Sequence, residues 1–409
     1  MPTWKRTFAA VWLANTVTAI GMMAFLPFFP SQLEHLGLTD RGEIATWAGV
    51  LYGAAPLFAA LSSPLWGALG DRVGRRVMIL RSMLAITLFV GAMSFATSPW
   101  ELLALRIAQG LFSGFVAPSI TLVSVQAPAE AQSRVSGWLQ TSMVLGAILG
   151  PLAGELLRAE LGVGEVYLGV AVLSLVAALL VLCFAREDAS SQRSDGRRLE
   201  PLGALRTLVR DIGELRGNAA LRASMLLLFC LQFGMGATNP LLELHVRDVE
   251  TWLGWMKPST AALFFSMSAA NLVSMPLWGR LGDRRGAYRT LRICAALCAV
   301  ALLAQGLASS YEALLLARVL FGAAMAGSAP LAFGVAAAES SASQRGGAIG
   351  VVFAARAFAI AVASMAGGAI SVLVGVRGLF LGSAGLLALC LVVLRPPRSG
   401  GDRGVIHNM

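Results

Sequence analysis

Pro64-Leu65-Trp66-Gly67-Ala68-Leu69-Gly70-Asp71-Arg72 returns later in the chain as Pro276-Leu277-Trp278-Gly279-Arg280-Leu281-Gly282-Asp283-Arg284, displaced by 212 residues. A second pair, Leu105-Arg106 through Pro118 and Ala317-Arg318 through Pro330, repeats at the same offset, so one internal duplication accounts for both. Twelve apolar runs surround these copies, near 8–30, 44–66, 77–97, 100–124, 135–157, 164–184, 221–244, 259–278, 290–308, 311–335, 346–371 and 375–394. Each is long enough to cross a bilayer with some tilt. Between the sixth and seventh runs, the stretch from Arg186 to Arg222 is rich in Arg, Asp, Glu, Ser and Gly, a composition that does not insert into lipid. The expected organisation is a six-helix half over 1–184, a linker over 185–220, a second six-helix half over 221–394 and a tail over 395–409. Within the linker, Leu199 to Leu215 is expected to form an amphipathic surface helix. Six spans per half give both halves the same orientation, which implies a pseudo-twofold along the membrane normal and a substrate site near the midplane.

Composition agrees with this pattern. Of 409 residues, 57% are apolar or aromatic and only 13% are charged, with 44 glycines besides, which excludes a soluble enzyme and a disordered chain. A net charge of +10 would suggest nucleic acid in a soluble protein. Here the 32 Lys and Arg concentrate at the termini and in even-numbered connections, so the positive-inside rule puts both termini in the cytoplasm and no nucleic-acid partner is expected. The cysteines at 183, 230, 294, 298 and 390 lie in apolar stretches without metal-binding or disulfide spacing; no metal and no cofactor are expected. The first run follows Lys5 and Arg6 but lacks a small-residue cleavage site, so it reads as a first span.

Gly67, Gly70, Asp71, Arg72, Gly74, Arg75 and Arg76 fall in the expected connection between the second and third spans. Any basic loop would anchor topology, and Asp71 is a residue that an anchor does not need. The spacing is similar to the signature loop of the major facilitator superfamily, and the duplicated twelve-span layout resembles that family over essentially the whole chain. The resemblance implies an all-α membrane protein with twelve transmembrane helices in two pseudo-symmetric six-helix halves, a carrier and not an enzyme. It also implies a cytoplasmic gate made by Gly67, Asp71, Arg72, Gly74, Arg75 and Arg76. Asp71 would face the start of the eleventh span near Arg345, Gly346 and Gly347, where a helix N-terminus carries about half a positive charge. The second copy keeps Asp283, Arg284 and Gly286 but has Ala287-Tyr288-Arg289 in place of the paired arginines.

Leu105-Arg106-Ile107-Ala108-Gln109-Gly110 resembles a second motif, found in proton-coupled members of the family, which implies that Arg106 and Gln109 face a cavity and that Arg106 takes part in coupling. An arginine in hydrocarbon costs about 2.5–3.5 kcal/mol on insertion scales; the alternative is snorkelling toward the interface at Trp100. Arg318, the repeat partner, lacks a following Gln-Gly, and both readings stay open for it. In the fifth span, Gly146, Gly150, Pro151 and Gly154 resemble the glycine-proline motif of the family's antiporters, which implies export. Small residues at this spacing let helices approach closely. Glu155 stands where a further glycine is usual, and its carboxylate reads either as a solvated helix end or as a proton-coupling site.

Arg356 lies about three turns beyond Arg345, near the bilayer centre, whereas the 22 acidic residues fall in loops or near span ends. A net positive cavity is expected. Asn15, Gln140, Gln232, Asn239 and Asn271, with Phe25, Tyr52 and Phe233, complete the candidate lining, although such polar residues equally serve to bridge helices. His35 and His245 read as interfacial, and His407 lies in the tail. The expected function is proton-coupled efflux of amphipathic small molecules by alternating access, as a monomer in a bacterial inner membrane. The alternative is a carrier or exchanger of organic anions or lipid-like acids, supported by Arg106 and Arg356. A membrane-embedded enzyme or receptor would need convergent catalytic groups, which histidines at span ends and in the tail do not supply.

Overall fold

The computed structural model describes residues 3–187, 219–253, 257–340 and 345–394. The expected surface helix over 199–215, most of the linker and the tail lie outside them. Hydrocarbon offers no partner for backbone N–H and C=O groups, so a chain this apolar satisfies them within helices; among the described residues the only β-type pairing is an isolated bridge between Glu250 and Ser310. Eleven helices are long and apolar enough to cross a membrane. The first ten spans are α1 (Trp4–His35), α2 (Arg41–Val73), α3 (Arg75–Met93), α4 (Pro99–Gln126), α5 (Ala129–Leu161), α6 (Val163–Phe184), α7 (Ala219–Val246), α8 (Thr260–Arg285), α9 (Ala287–Leu307) and α10 (Tyr311–Ala338). The last helix, Arg345–Val393, has 49 residues. At 1.5 Å per residue it would be about 74 Å long, more than twice the hydrocarbon thickness. Gly375, at φ 73°, breaks it into α11 and α12, which makes twelve crossings.

The duplicated motif departs from the expected loop. α2 continues as helix through Gly67 and Gly70 to Val73, and only Gly74, at φ 105°, turns the chain before α3 starts at Arg75. Gly286, at φ 85°, makes the same turn between α8 and α9. Hydropathy marks where lipid ends, whereas the helix runs on until a residue that tolerates positive φ stops it.

Repeat partners also share contacts. Trp66 Nε1 donates to Leu111 O at 2.5 Å in one half, and Trp278 Nε1 donates to Ala323 O at 2.6 Å in the other. Ser98 caps α4 and Ser310 caps α10, each accepting from a backbone N–H three residues on. Gly110 lets α4 lie against α2 at Ala55, and Gly322 lets α10 lie against α8 at Met267. The stripe Gly146, Gly150 and Gly154 seats α5 on α1 at Ala19, Ile20, Met23 and Ala24, where a Cβ on Gly146 would stand 2.5 Å from that of Ala19.

Several spans are interrupted. α1 and α7 each contain a 3-10 turn with a proline, Leu26–Phe28 with Pro27 and Asn239–Leu241 with Pro240. α4 breaks around Gly114, at φ 123°, between the segments Pro99–Phe112 and Val116–Gln126.

A methyl group at Gly110 would meet the backbone of Ala55, with Ala55 O 2.5 Å away, whereas one at Gly279 would meet nothing within 4 Å. Gly110→Ala is therefore expected to lower stability by about 1–3 kcal/mol through overpacking. Gly279→Ala should be neutral or slightly stabilising, since alanine is the better helix former. Thermal unfolding of the purified variants in detergent reads both; equal effects would contradict the close α2–α4 approach.

Candidate functional site

The end of the bundle opposite the N terminus, called here the far end, is where polar side chains of the two halves meet. Glu243, on α7, is almost fully buried. It accepts from the backbone N–H of Ser31 at 3.2 Å and from the Ser31 hydroxyl on α1. It also pairs with Arg247 at 3.2 Å and with Arg158 of α5 at 4.0 Å. Arg247 reaches Glu34, and Arg41 joins Asp248 and donates to Leu244 O at 3.1 Å. Partial burial works against the charge of Arg247, but the carboxylates of Glu34 and Glu243 outweigh it and raise its pKa above the ordinary arginine value. Exposed ion pairs contribute little singly; here several share partners around one buried carboxylate.

Glu155, offered by the sequence as a solvated end or a proton site, crosses the same interface. It accepts from the Ser259 hydroxyl at 2.5 Å and from Ala261 N at 3.2 Å, so its charge faces the N-terminus of α8. Beneath these contacts α2 and α11 touch almost backbone to backbone. A Cβ on Gly53 would lie 2.5 Å from Ala361 O, and one on Gly368 would lie 2.6 Å from Ala45 O. Three ion pairs between the halves lie at this far end.

Deeper in the bundle sit the two repeat-related arginines. Arg106 is 1% exposed and Arg318 is 0% exposed, so neither snorkels. Arg106 donates from Nε to Leu51 O at 2.9 Å, from Nη1 to Gln109 Oε1 at 2.6 Å and from Nη2 to Tyr52 O at 3.5 Å. Arg318 donates from Nη2 to Asn239 Oδ1 at 3.0 Å and from Nη1 to Gln305 Oε1 at 3.3 Å. Gln305, on α9, thus supplies the amide that the second motif copy lacks, a substitution that only the three-dimensional arrangement reveals. Each guanidinium also lies over two rings, Phe25 and Phe29 for Arg106, Phe264 and Phe321 for Arg318.

The other expected lining residues scatter. Asn15 accepts from the Ser119 hydroxyl at 3.1 Å, and its amide nitrogen has no hydrogen-bond partner. Both amide atoms of buried Gln232 also lack partners. Phe233 and Asn271 are half-buried, and Gln140 is exposed. Arg356 is half-buried in α11, and its Nε has no hydrogen-bond partner. His245, expected at an interface, is fully buried, with Nε2 3.0 Å from Gln305 O and its ring against Phe380. His35 is exposed.

A cavity of about 600 Å³ opens between α2, α3 and α4, bounded by Ala357 of α11. None of the expected lining residues borders it; Gly67 and Arg75 of the expected gate do. Arg81 also lines it, stacked on Trp66 with the guanidinium 3.7 Å from the ring centroid. Arg81 was not foreseen, although an arginine within the third apolar run was a visible signal. The gate carboxylate Asp71 and the side chain at Arg345, with Gly346 and Gly347, lie outside the described side chains. The backbone N–H groups of Arg75 and Arg76, both at 2.9 Å, donate to Glu187, and Arg76 Nη2 donates to Leu182 O at 2.5 Å. Those contacts hold the turn against α6 within its own half.

Comparisons with known proteins agree with this architecture. The chain matches the sequence profile of the Major Facilitator Superfamily over residues 11–257 and 224–406. It is 33% identical over 290 residues to multidrug resistance protein MdtG of Citrobacter koseri, covering 70% of this chain and 69% of that one. Among solved structures, the human organic anion transporter MFSD10 superposes with a TM-score of 0.68 at 21% identity, covering 97% of this chain and 100% of that one. A D-xylose–proton symporter superposes with a TM-score of 0.75 at 15% identity, over 95% and 96% of the two chains. At those identities the structural likeness speaks for the fold alone.

The far-end network yields a measurable expectation. Glu243→Gln removes the carboxylate that Ser31, Arg158 and Arg247 share. Because both arginines are partly exposed, the cost is discounted to about 1–2 kcal/mol, a roughly five- to thirtyfold shift between closed and open populations. Spin labels at Thr39 and Thr251, read by pulsed dipolar spectroscopy, should show a longer-distance population in the variant. High salt should move the parent protein the same way. An unchanged distribution in a folded variant would mean that the network does not hold the far end shut.

Proposed function

From the premise that this chain belongs to the major facilitator superfamily, we propose that it is a proton-coupled exporter of amphipathic small molecules, working by alternating access as a monomer in a bacterial inner membrane. Both termini face the cytoplasm in this reading, so the far end is the outer face and the arrangement described is the outward-closed state. The observation that carries it is the asymmetry of the bundle: its outer end is joined across the halves by charged side chains and near-contact backbones, while the cavity bordered by Trp66, Arg75 and Arg81 lies toward the other end. The glycine stripe of α5, seated on α1, supports export through its likeness to antiporter motifs, and so does the likeness to multidrug resistance proteins.

Coupling is assigned to Glu155. Its carboxylate faces the start of α8, an interaction that contributes about 0.3–1 kcal/mol, up to roughly 2 in partly buried geometry. Protonation from the outer side removes that charge and loosens the latch. Arg158 follows one turn on in the same helix, and Tyr311, at the start of α10, donates to Ser259 O at 2.9 Å. Asp71 facing the start of α11 would be the corresponding latch at the cytoplasmic end.

Proteoliposomes carrying an imposed pH gradient test the proposal. The parent protein should accumulate a fluorescent amphiphile against its concentration gradient and lose that ability with a protonophore. Glu155→Gln should lower the pH-driven rate about fivefold, the equivalent of about 1 kcal/mol, and leave substrate exchange without a gradient intact. Undiminished pH-driven transport in the variant would move the coupling step elsewhere.

A further inference from the structure

The duplication sets one arginine per half at matching positions, 106 and 318, and among the described residues neither has a carboxylate counter-charge. Every hydrogen-bond acceptor around them is neutral: carbonyls of Leu51 and Tyr52, and the amide oxygens of Gln109, Gln305 and Asn239. The ionisable side chains near Arg106 are Tyr52 and Tyr167, and those near Arg318 are Tyr52 and His245. Among the described residues no carboxylate pairs with either. Arg318 keeps Nε without a hydrogen-bond partner although it is 0% exposed. A buried charge is normally paired or neutralised, because its lost hydration is not otherwise replaced.

The two sites also adjoin. Tyr52, on α2, presents its carbonyl to Arg106; α2 packs against the turn of α7 that holds Asn239, and Asn239 accepts from Arg318. Tyr52 and Asn239 thus stand between the two arginines, one from each half, and Tyr52 is only half-buried. The asparagine oxygen is a neutral acceptor in a position that an anionic oxygen would fill more strongly, since hydrogen bonds to ionised acceptors are roughly twice as strong. The rings over the guanidinium groups, Phe25 and Phe29 in one half and Phe264 and Phe321 in the other, offer apolar surface beside the charge.

We propose that Arg106 and Arg318 form one bipartite receptor for the anionic head group of an amphipathic substrate, with the four phenylalanines taking its apolar body. Tyr52 and Asn239 occupy the head-group position while the site is empty and yield it when substrate enters from the cavity side. An acid bound this way bridges the halves directly and neutralises both repeats at once. The proposal deepens the exporter reading and rests on it for the route of entry, but equilibrium binding at the site does not require turnover.

The test uses the full-length protein in nanodiscs of zwitterionic lipid and three fluorescent probes sharing one tail: 11-(dansylamino)undecanoic acid, its primary amide and the matching trimethylammonium compound. The parent should bind the acid about tenfold tighter than the amide, a ratio equivalent to about 1.4 kcal/mol, and the cation least well. Arg106→Gln and Arg318→Gln should each bring the acid within about threefold of the amide while amide binding stays near the parental value, a smaller charge effect of the same kind. Arg318→Lys should retain part of the preference. Equal binding of acid and amide by the parent overturns the proposal without any variant, as does full acid preference in folded glutamine variants. Acid-selective binding without pH-driven export would discard the exporter reading alone. Export of acid and amide at equal rates with equal affinity would discard the anion receptor alone.

Discussion

Hydrocarbon returns no hydrogen bond to a polar group, and most features of this bundle follow from how that deficit is met. Backbone groups are satisfied inside helices; where a helix is interrupted at Leu26–Phe28 and Asn239–Leu241 the break is buried among other spans, and the break at Gly114 borders the cavity. Side chains obey the same constraint. Trp66 and Trp278 spend their indole N–H on carbonyls of the adjoining span, and Arg106 and Arg318 spend theirs on carbonyl and amide oxygens. The polar atoms left without partners, such as the amide of Gln232 and Nε of Arg356, are the exceptions that such a medium makes costly.

Without a hydrophobic force between helices in lipid, close packing holds a bundle together. Glycine makes that packing possible here in two distinct ways. Within halves, Gly110, Gly322 and the stripe from Gly146 to Gly154 bring spans into permanent contact. Between halves, Gly49, Gly53 and Gly368 bring α2 onto α11 along the stretch that runs inward from the far end, and the Glu243 network and the Glu155 contact with α8 add charge to the seal at that end. A seal built from near-backbone contact and partly exposed ion pairs forms and parts as a unit, because both terms weaken steeply with separation. That is the mechanical property a carrier needs at one end while the other end stays open.

Legibility in the sequence varied with the range of the interaction. The duplicated Pro-Leu-Trp-Gly motif announced two equivalent halves, and the repeat-related contacts of Trp66 and Trp278, Ser98 and Ser310, and Gly110 and Gly322 bear that out. The same motif was misread as a loop, since a fall in hydropathy after Trp66 looks the same whether the helix ends or merely leaves the lipid. The polar lining was harder to read. Gln232, Asn15 and Arg356 were selected by depth, yet depth along a helix says nothing of which neighbours the side chain meets. Glu155 was seen as a carboxylate at a helix end, but Ser259 and the start of α8 lie more than a hundred residues away in sequence.

The sequence by itself determined the number of crossings, their duplication and the presence of arginine in an environment without carboxylates, because solvation by lipid acts on each segment separately and leaves its mark in composition and period. Only the tertiary structure decided which neutral groups receive Arg106 and Arg318, that Gln305 replaces the missing motif amide, that Tyr52 and Asn239 stand between the two arginines, and that charged side chains of the two halves meet at the far end. Those outcomes depend on the angle and distance at which whole helices meet, and such geometry is set by many weak contacts at once.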